Sequence, residues 1–290
     1  MNVKVLAPAK INLGLEILDK RTDGYHNVDM IMQSVSLYDV LNVSISEGDF
    51  FNINSNVEFG CLLEDNTMYK AARCFFEFTD MKNPGITVEI QKNIPSFAGL
   101  AGGSSDGAAI VLALDKLFGT NLSRKDLMNI CAKVGSDVPF CMLGGTARAN
   151  GRGVELKPID SDLKYSLVIV KPDVNISTGM AYSKADNIKE KNIAAIDKIS
   201  RALKDKNLYE VCENLFNRFE DVANSLEIFS LKDKMRNLGA TGSLMTGSGS
   251  AVFGIFDNFN LAQECCEFMR KDYEKSFICE PIGHGAIIID

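Results

Sequence analysis

Apolar and polar residues alternate over 10–18: Ile11, Leu13, Leu15 and Ile17 share one face, and Lys10, Asn12, Gly14 and Glu16 share the other. A period of two is the signature of a strand. It predicts one here, with a shorter strand over 3–6 ahead of it that Pro8 interrupts. Asp23-Gly24 is a turn signal, and strands over 28–36 and 40–46 follow it. Over 66–78 the apolar spacing becomes helical, with Asp65 or Asn66 as the cap. Alternation returns over 85–94, where Ile86, Val88 and Ile90 oppose Thr87, Glu89 and Gln91. The apolar run 106–118 is long and free of breakers, so it predicts a helix. Ser123 starts another, through Lys133. The segments GSDVPFCMLGG and ANGRG read as loops around a short strand.

The second half carries a similar mixture. Strands are predicted over 165–171, 244–246, 251–256, 276–280 and 285–289. Helices are predicted over 178–187, 194–205, 207–223, 230–238 and 260–273, and Gly239 closes the fourth of these. No internal repeat is visible. The mixed order predicts an α+β protein of two domains, 1–157 and 158–290, with the change between Glu155 and Ser161.

Composition narrows the class. Hydrophobic residues make up 46% and charged residues 24% of 290, as expected of a globular chain with a sizeable core. No apolar run approaches the length needed to cross a bilayer. The stretch MNVKVLAPAKINLGLEIL has no signal-peptide core, so a cytoplasmic protein is expected. A net charge of −7 without a basic stripe argues against a nucleic-acid surface. There are eight cysteines and only two histidines. No cysteine pair has zinc-site spacing, so the thiols read as small buried hydrophobes.

The stretch IPSFAGLAGGSSDGAAIVLALDKLF sets a glycine-rich run between a predicted strand and a predicted helix. In that position glycine lets backbone N–H groups curl toward one point, and the helix N-terminus adds a field that favours an anion. The alternative is a plain tight turn. Gly102 and Gly107 match half of a P-loop, but Ala108 and Ala109 stand where its Lys and Ser or Thr would be. A G-x-G-x-x-G dinucleotide pattern is also absent. A phosphate cradle here would take hydroxyls from Ser104 and Ser105 and a cation from elsewhere. Lys10 is a candidate, against the plain reading of a solvated lysine.

Three segments together resemble the GHMP kinase superfamily: PAKINLGLEI, the P-x-x-x-G-L-A-G-G-S-S run at 95–105, and MTGSGSAVFGIF at 245–256. The resemblance spans nearly the whole chain. It implies a ribosomal-protein-like N-terminal domain and a ferredoxin-like C-terminal domain, with ATP and substrate between them. PAKINLGLEILDKRTDGYHNVDMIMQSVSLYD and GSDVPF narrow the resemblance to the branch acting on a cytidine-diphosphate-linked methylerythritol. The implied reaction moves the ATP γ-phosphoryl group to the 2-hydroxyl of 4-diphosphocytidyl-2-C-methylerythritol, in non-mevalonate isoprenoid precursor synthesis.

Residue by residue, the resemblance implies Asp137 as catalytic base and Lys10 as catalytic lysine. A tertiary hydroxyl is a poor nucleophile, and a positioned carboxylate can take its proton as the bond to phosphorus forms. Lys10 would supply positive charge beside the moving phosphoryl group. Pro95, Gly99, Leu100, Ala101, Gly102, Gly103, Ser104 and Ser105 would hold ATP, with Asn66 near the adenine. Tyr25 and Tyr182 would enclose the cytosine, His26 would read its edge, Asn12 would contact the substrate near its reacting end, and Thr178 would lie near the diphosphate. Gly247 and Gly249 would let the C-terminal turn come close to phosphates or substrate. Mg2+ is implied by ATP chemistry, with Ser105 or Asp106 as candidate contributors. The plain readings are a turn or cap aspartate at Asp137, exposed turn residues at Tyr25 and His26, and helix core at Tyr182.

Two alternatives stand beside this. A GHMP kinase acting on mevalonate or homoserine would have no use for a cytosine clamp. A catalytically silent homologue would have no use for Lys10, Asp137 and the glycine run together.

Overall fold

The computed structural model describes residues 1–290 apart from 187, 189, 224 and 290. Its backbone begins with two long strands, β1 (Asn2–Lys20) and β2 (His26–Ser46), paired antiparallel along nearly their whole length. Each was expected as two shorter strands. Pro8 has no N–H to give the ladder, but the sheet accommodates it by a register shift between Pro8 and Ala9, with further shifts at Asn12/Gly14 and Ile17/Lys20. A bulge bends a strand without ending it.

Strand β3 (Phe51–Ser55), which was not anticipated, pairs parallel with β4 (Gly85–Gln91). Between them lies α1 (Thr67–Thr79). Helix α2 (Gly102–Phe118) begins inside the glycine run rather than at Asp106, because Ala101 turns left-handed and lets Gly102–Ser105 form the first turn. Next come α3 (Arg124–Val134) and α4 (Val138–Leu143). The sequence pattern predicts loop over the latter, but Pro139 sits in its first turn, where a missing N–H is harmless. Strands β5 (Thr146–Asn150) and β6 (Glu155–Pro158) close the first half.

The second half contains β7 (Ser166–Val170), α5 (Thr178–Ala185), α6 (Ile193–Lys204), α7 (Leu208–Glu213), β8 (Phe216–Asn217) and α8 (Glu220–Ala223). It continues with α9 (Leu226–Asn237), β9 (Gly242–Met245), β10 (Val252–Phe256), α10 (Phe259–Met269), β11 (Ser276–Cys279) and β12 (Ile287–Ile289). The helix expected over 178–187 ends at Ala185, and its last expected position, Asn187, lies outside the described residues. The helix expected over 207–223 is broken by β8. There Asn217 donates its Nδ2 to the carbonyls of Met245 (2.7 Å) and Gly247 (2.8 Å), bonds that a continuous helix would not position.

Strands β11-β7-β10-β9 form a four-stranded antiparallel sheet. The larger, eight-stranded sheet runs β12-β1-β2-β4-β3, with β5 and β6 extending from β2 and β8 on β1. Two strands of the second half, β8 and β12, therefore belong to the sheet of the first. Helices α1 and α2 cover one face of that sheet, with Met68, Phe75, Val111 and Leu114 against Val5, Leu41 and Val88. The other face of β1 meets the second half: Ile11 and Leu13 share a core with Ile196 and Ile199 of α6, Leu167 and Phe253. A Cβ on Gly14 would lie 2.8 Å from the terminal methyls of both Ile196 and Ile199, so α6 packs closely over β1 at this glycine.

The polar positions of β1 are consequently buried rather than solvated, with Asn12 and Glu16 at 0% exposure and Lys10 at 4%. Glu16 is held by Arg218 in a two-pronged pair (Nε–Oε1 2.8 Å, Nη2–Oε2 2.6 Å) and by the N–H groups of Ile17 and Asn192. Among the described residues no helix is long and apolar enough to cross a membrane.

Candidate active site

A cleft of about 640 Å3 opens where the two halves meet. Its floor is made by β1. Lys10 sits just after the Pro8 irregularity and donates its backbone N–H to Leu100 (3.1 Å), which ties β1 to the glycine run. The Lys10 ammonium gives a 2.7 Å hydrogen bond to Asn12 and lies 3.8 Å from Asp137 Oδ2. Asp137 is the residue before α4 and is 32% exposed at its side chain, so its carboxylate faces the cleft while Lys10 is packed beneath it. Asn12 is fixed by donating its backbone N–H to Thr246 Oγ1 at 3.0 Å.

The N-terminus of α2 forms one wall. Among the described residues it has no side-chain cap, so the first amides of the helix are free to receive an anion. Gly99, Ala101, Gly102, Gly103 and Ser104 line the cleft with Pro95 and Leu100. The need for glycine at 99 comes from the second half: a Cβ there would lie 2.1 Å from the Thr246 carbonyl, and one on Gly247 would lie 2.9 Å from the Gly99 carbonyl. The two glycine motifs thus exist partly to let each other's backbones touch, a purpose the sequence did not disclose. Ala251 adds a 3.1 Å bond from its N–H to the Ala98 carbonyl.

Other expected positions fall differently. Ser105 is fully buried and gives its hydroxyl to the Pro8 carbonyl (2.7 Å), so it braces the loop against β1 and does not face the cleft. Asn66 accepts from the Met68 N–H (2.9 Å) as the cap of α1, and its neighbour Thr67 takes the place on the wall. Thr178 does line the cleft, bonded to Ser248 of the C-terminal turn at 2.8 Å. Tyr182 lines it as well, set edge-on to Phe219 at 4.9 Å.

His26 is 9% exposed, bonds Asp186 at 2.5 Å and stacks on Tyr182 at 5.0 Å, while Tyr25 is 55% exposed beside Arg152. Tyr25 and Tyr182 are therefore not brought face to face. Six of the eight cysteines are buried as expected, but Cys61 is exposed and stands on the cleft wall.

Two models, GHMP kinases N terminal domain and GHMP kinases C terminal, match residues 66–145 and 186–275. A 4-diphosphocytidyl-2-C-methyl-D-erythritol kinase of Alkaliphilus oremlandii is 40% identical over 283 residues, 97% of each chain. The one from Caldicellulosiruptor saccharolyticus is 43% identical over 254 residues, 87% of each. The chain belongs to the GHMP kinase family. A crystal structure of 4-(cytidine 5'-diphospho)-2C-methyl-D-erythritol kinase superposes with a TM-score of 0.78 at 30% identity, covering 98% of this chain and all of that one. Homoserine kinase from Cytophaga hutchinsonii shares the fold at 19% identity (TM-score 0.75). The expected α+β, two-domain architecture is that of the family. GHMP kinases use ATP as co-substrate.

This GHMP kinase has a second buried charge cluster that sequence reasoning passed over. Lys92, just ahead of the glycine run, is paired with Asp39 and with Asp106 of α2 (Oδ2, 2.5 Å). Asp39 also accepts from the N–H groups of Asn93 (2.6 Å) and Ile94 (2.9 Å), which fixes where β4 ends and the run begins. The signal was available in QKNIP, a lysine three residues before the proline of the motif. Burial pushes the Asp106 carboxyl up to about 8; Asp39 adds to the rise, and Lys92 opposes it without cancelling it.

A carboxyl raised in the folded state stabilises fully below its unfolded value and loses that contribution as pH climbs through the folded one. From this group alone, stability falls as pH rises between roughly pH 4 and 8. Asp106→Asn mimics the protonated form. We expect the melting temperature of the variant to fall less than that of wild type between pH 6 and pH 8; parallel curves would refute a protonated Asp106.

Proposed function

We propose that this GHMP kinase transfers the γ-phosphoryl group of ATP to the 2-hydroxyl of 4-diphosphocytidyl-2-C-methyl-D-erythritol, giving the 2-phosphate and ADP, as an enzyme of isoprenoid precursor synthesis in the cytoplasm. The observation that carries this reading is the Lys10–Asp137 pair, 3.8 Å apart, facing the uncapped α2 N-terminus across one cleft in a chain about 40% identical to enzymes of that name. Residues 1–157 would supply the nucleotide loop, both catalytic groups and part of the acceptor's surroundings, and 158–290 the rest of those surroundings.

The chemistry follows from the placement. The α2 amides and Ser104 receive the triphosphate and orient its terminal group. Asp137 takes the proton of the attacking hydroxyl as the oxygen closes on phosphorus. Lys10, held by Asn12, keeps a fixed positive charge beside the charge that spreads over the transferring group. Asn12 and Thr178 contact the acceptor near its reacting end and its diphosphate. Tyr182 offers a flat surface for its cytosine and His26, stacked on that ring, would read the cytosine edge; Tyr25 stands exposed beside Arg152.

Mg2+ is not given a cage by the chain. Among the described residues no three His, Cys, Asp or Glu side chains cluster to hold a metal, and Ser105 and Asp106 are engaged with Pro8 and Lys92. The ion would arrive with the nucleotide and be held by phosphate oxygens and water.

Release of ADP by the purified protein with ATP and Mg2+ tests the reading, with 4-diphosphocytidyl-2-C-methyl-D-erythritol, mevalonate and homoserine compared as acceptors. Turnover is expected with the first alone. Turnover with another of the three would reject the substrate, and ATP binding without turnover of any would favour a silent homologue.

A further inference from the structure

Three residues of the glycine run adopt left-handed backbone conformations in alternation: Phe97 (φ 53°), Gly99 (φ 76°) and Ala101 (φ 58°). The residues between them are anchored inward. Ala98 and Leu100 are 2% and 1% exposed, and their carbonyls accept from Ala251 and Lys10. This anchoring throws residue 97 outward. A left-handed conformation costs an L-residue about 1–2 kcal/mol, and glycine adopts it freely. Yet position 97 holds phenylalanine, 77% exposed and the most exposed aromatic among the described residues. Its ring stabilises neither backbone nor core. Strain of this kind persists at functional sites, and the ring's position indicates which function.

Phe97 lines the cleft together with Phe59 and Pro95. It sits four residues ahead of the Ala101 turn that opens α2, where Gly102 packs on Ile94 and Gly103 faces Thr67. Tyr182 and Phe219, packed edge to face, line the cleft from the second half. Asp137 lines the same cleft as Tyr182, and burial, with a smaller contribution from the Asp137 charge, pushes the tyrosine hydroxyl up to about 12. The acceptor must reach Asp137, so it takes the wall that carries Asp137 and Tyr182. With the triphosphate at α2, the donor's base is left for the wall that carries Phe97.

We propose that Phe97 determines nucleotide specificity by stacking its exposed ring on the base of the phosphoryl donor. This rests on the ATP-dependent reading above. Stacking of a base on an aromatic side chain contributes enough for a roughly tenfold change in affinity when the ring is removed.

Calorimetric binding of ATP and of inorganic tripolyphosphate, which has no base, tests this in wild type, Phe97→Gly and Phe97→Tyr. Phe97→Gly is expected to keep or raise the melting temperature, because strain is relieved. It should weaken ATP about tenfold and leave tripolyphosphate unchanged, and Phe97→Tyr should bind ATP as wild type does. Equal ATP affinity in wild type and a folded Phe97→Gly would overturn the proposal, as would equal losses for ATP and tripolyphosphate. Because binding is read without an acceptor, a wild type that binds ATP but phosphorylates none of the three alcohols defeats the functional reading and still scores the role of Phe97.

Discussion

Asp137→Asn is expected to lower kcat by about a thousandfold while leaving ATP affinity and melting temperature near wild type. General-base catalysis contributes roughly 10²–10⁴-fold, and the amide keeps the shape of the side chain without its proton affinity. Folding should not suffer, for two reasons visible in the site. The carboxylate is 32% exposed at the cleft, so its loss leaves no buried vacancy. Lys10 keeps its 2.7 Å bond to Asn12 and is not left without a partner. Steady-state kinetics with calorimetric ATP binding check the result together. Turnover near wild type with ATP still bound would remove Asp137 as the base and leave the deprotonation to water or to the nucleotide itself.

The largest effect on stability is expected from Arg218→Met. Arg218 spans the halves: it grips Glu16 of β1, bonds Asp221 at 2.6 Å and the Glu190 carbonyl at 3.1 Å, and lies over the Phe216 ring. Burial alone would raise the Glu16 carboxyl, but the bonds from Arg218 and from the Asn192 and Ile17 N–H groups outweigh it and hold the carboxyl below its ordinary value. Removing Arg218 strands that charge at 0% exposure, which costs about 3–5 kcal/mol. The melting temperature should drop on the order of 10 °C. Adding Glu16→Gln should recover part of the loss, because the uncompensated charge is then gone. Since the Glu16 carboxyl is lowered in the folded state, its contribution is present above the unfolded value and fades on acidification below about pH 4. A double variant no more stable than Arg218→Met would mean that packing, not charge, dominates at this contact.

How much of this was legible beforehand depended on the range of the cause. Alternation located β1, β2 and β4, because a strand with a buried face writes its period locally. It split the two long strands, since a bulge and a strand end look alike where Pro8 removes a donor. It missed β8, whose two residues are held by Asn217 reaching carbonyls of the C-terminal turn, a contact with no local trace. Lys10, Asp137 and the glycine run could be named because their motifs stand intact in the sequence, and the fold sets them around one cleft. The role of Gly99 and Gly247 as mutual clearance, the diversion of Ser105 to Pro8 and the Lys92 cluster needed coordinates. Each joins residues far apart in the chain.

Among the described residues, the edge of β1 away from β2 is paired only by β8 and β12, at Gly14–Leu15 and at Lys4–Leu6. Ribosomes deliver the chain at roughly 5–20 residues per second. The edge of β1 therefore has no strand of its own to pair with at Gly14–Leu15 until Phe216 is translated, nor at Lys4–Leu6 until Ile287 is. An open strand edge is a template for another chain, so a nascent copy on a crowded polysome is exposed to cross-pairing along β1. Completion of the first half's sheet is then tied to translation of β8 and β12 rather than to the first half alone.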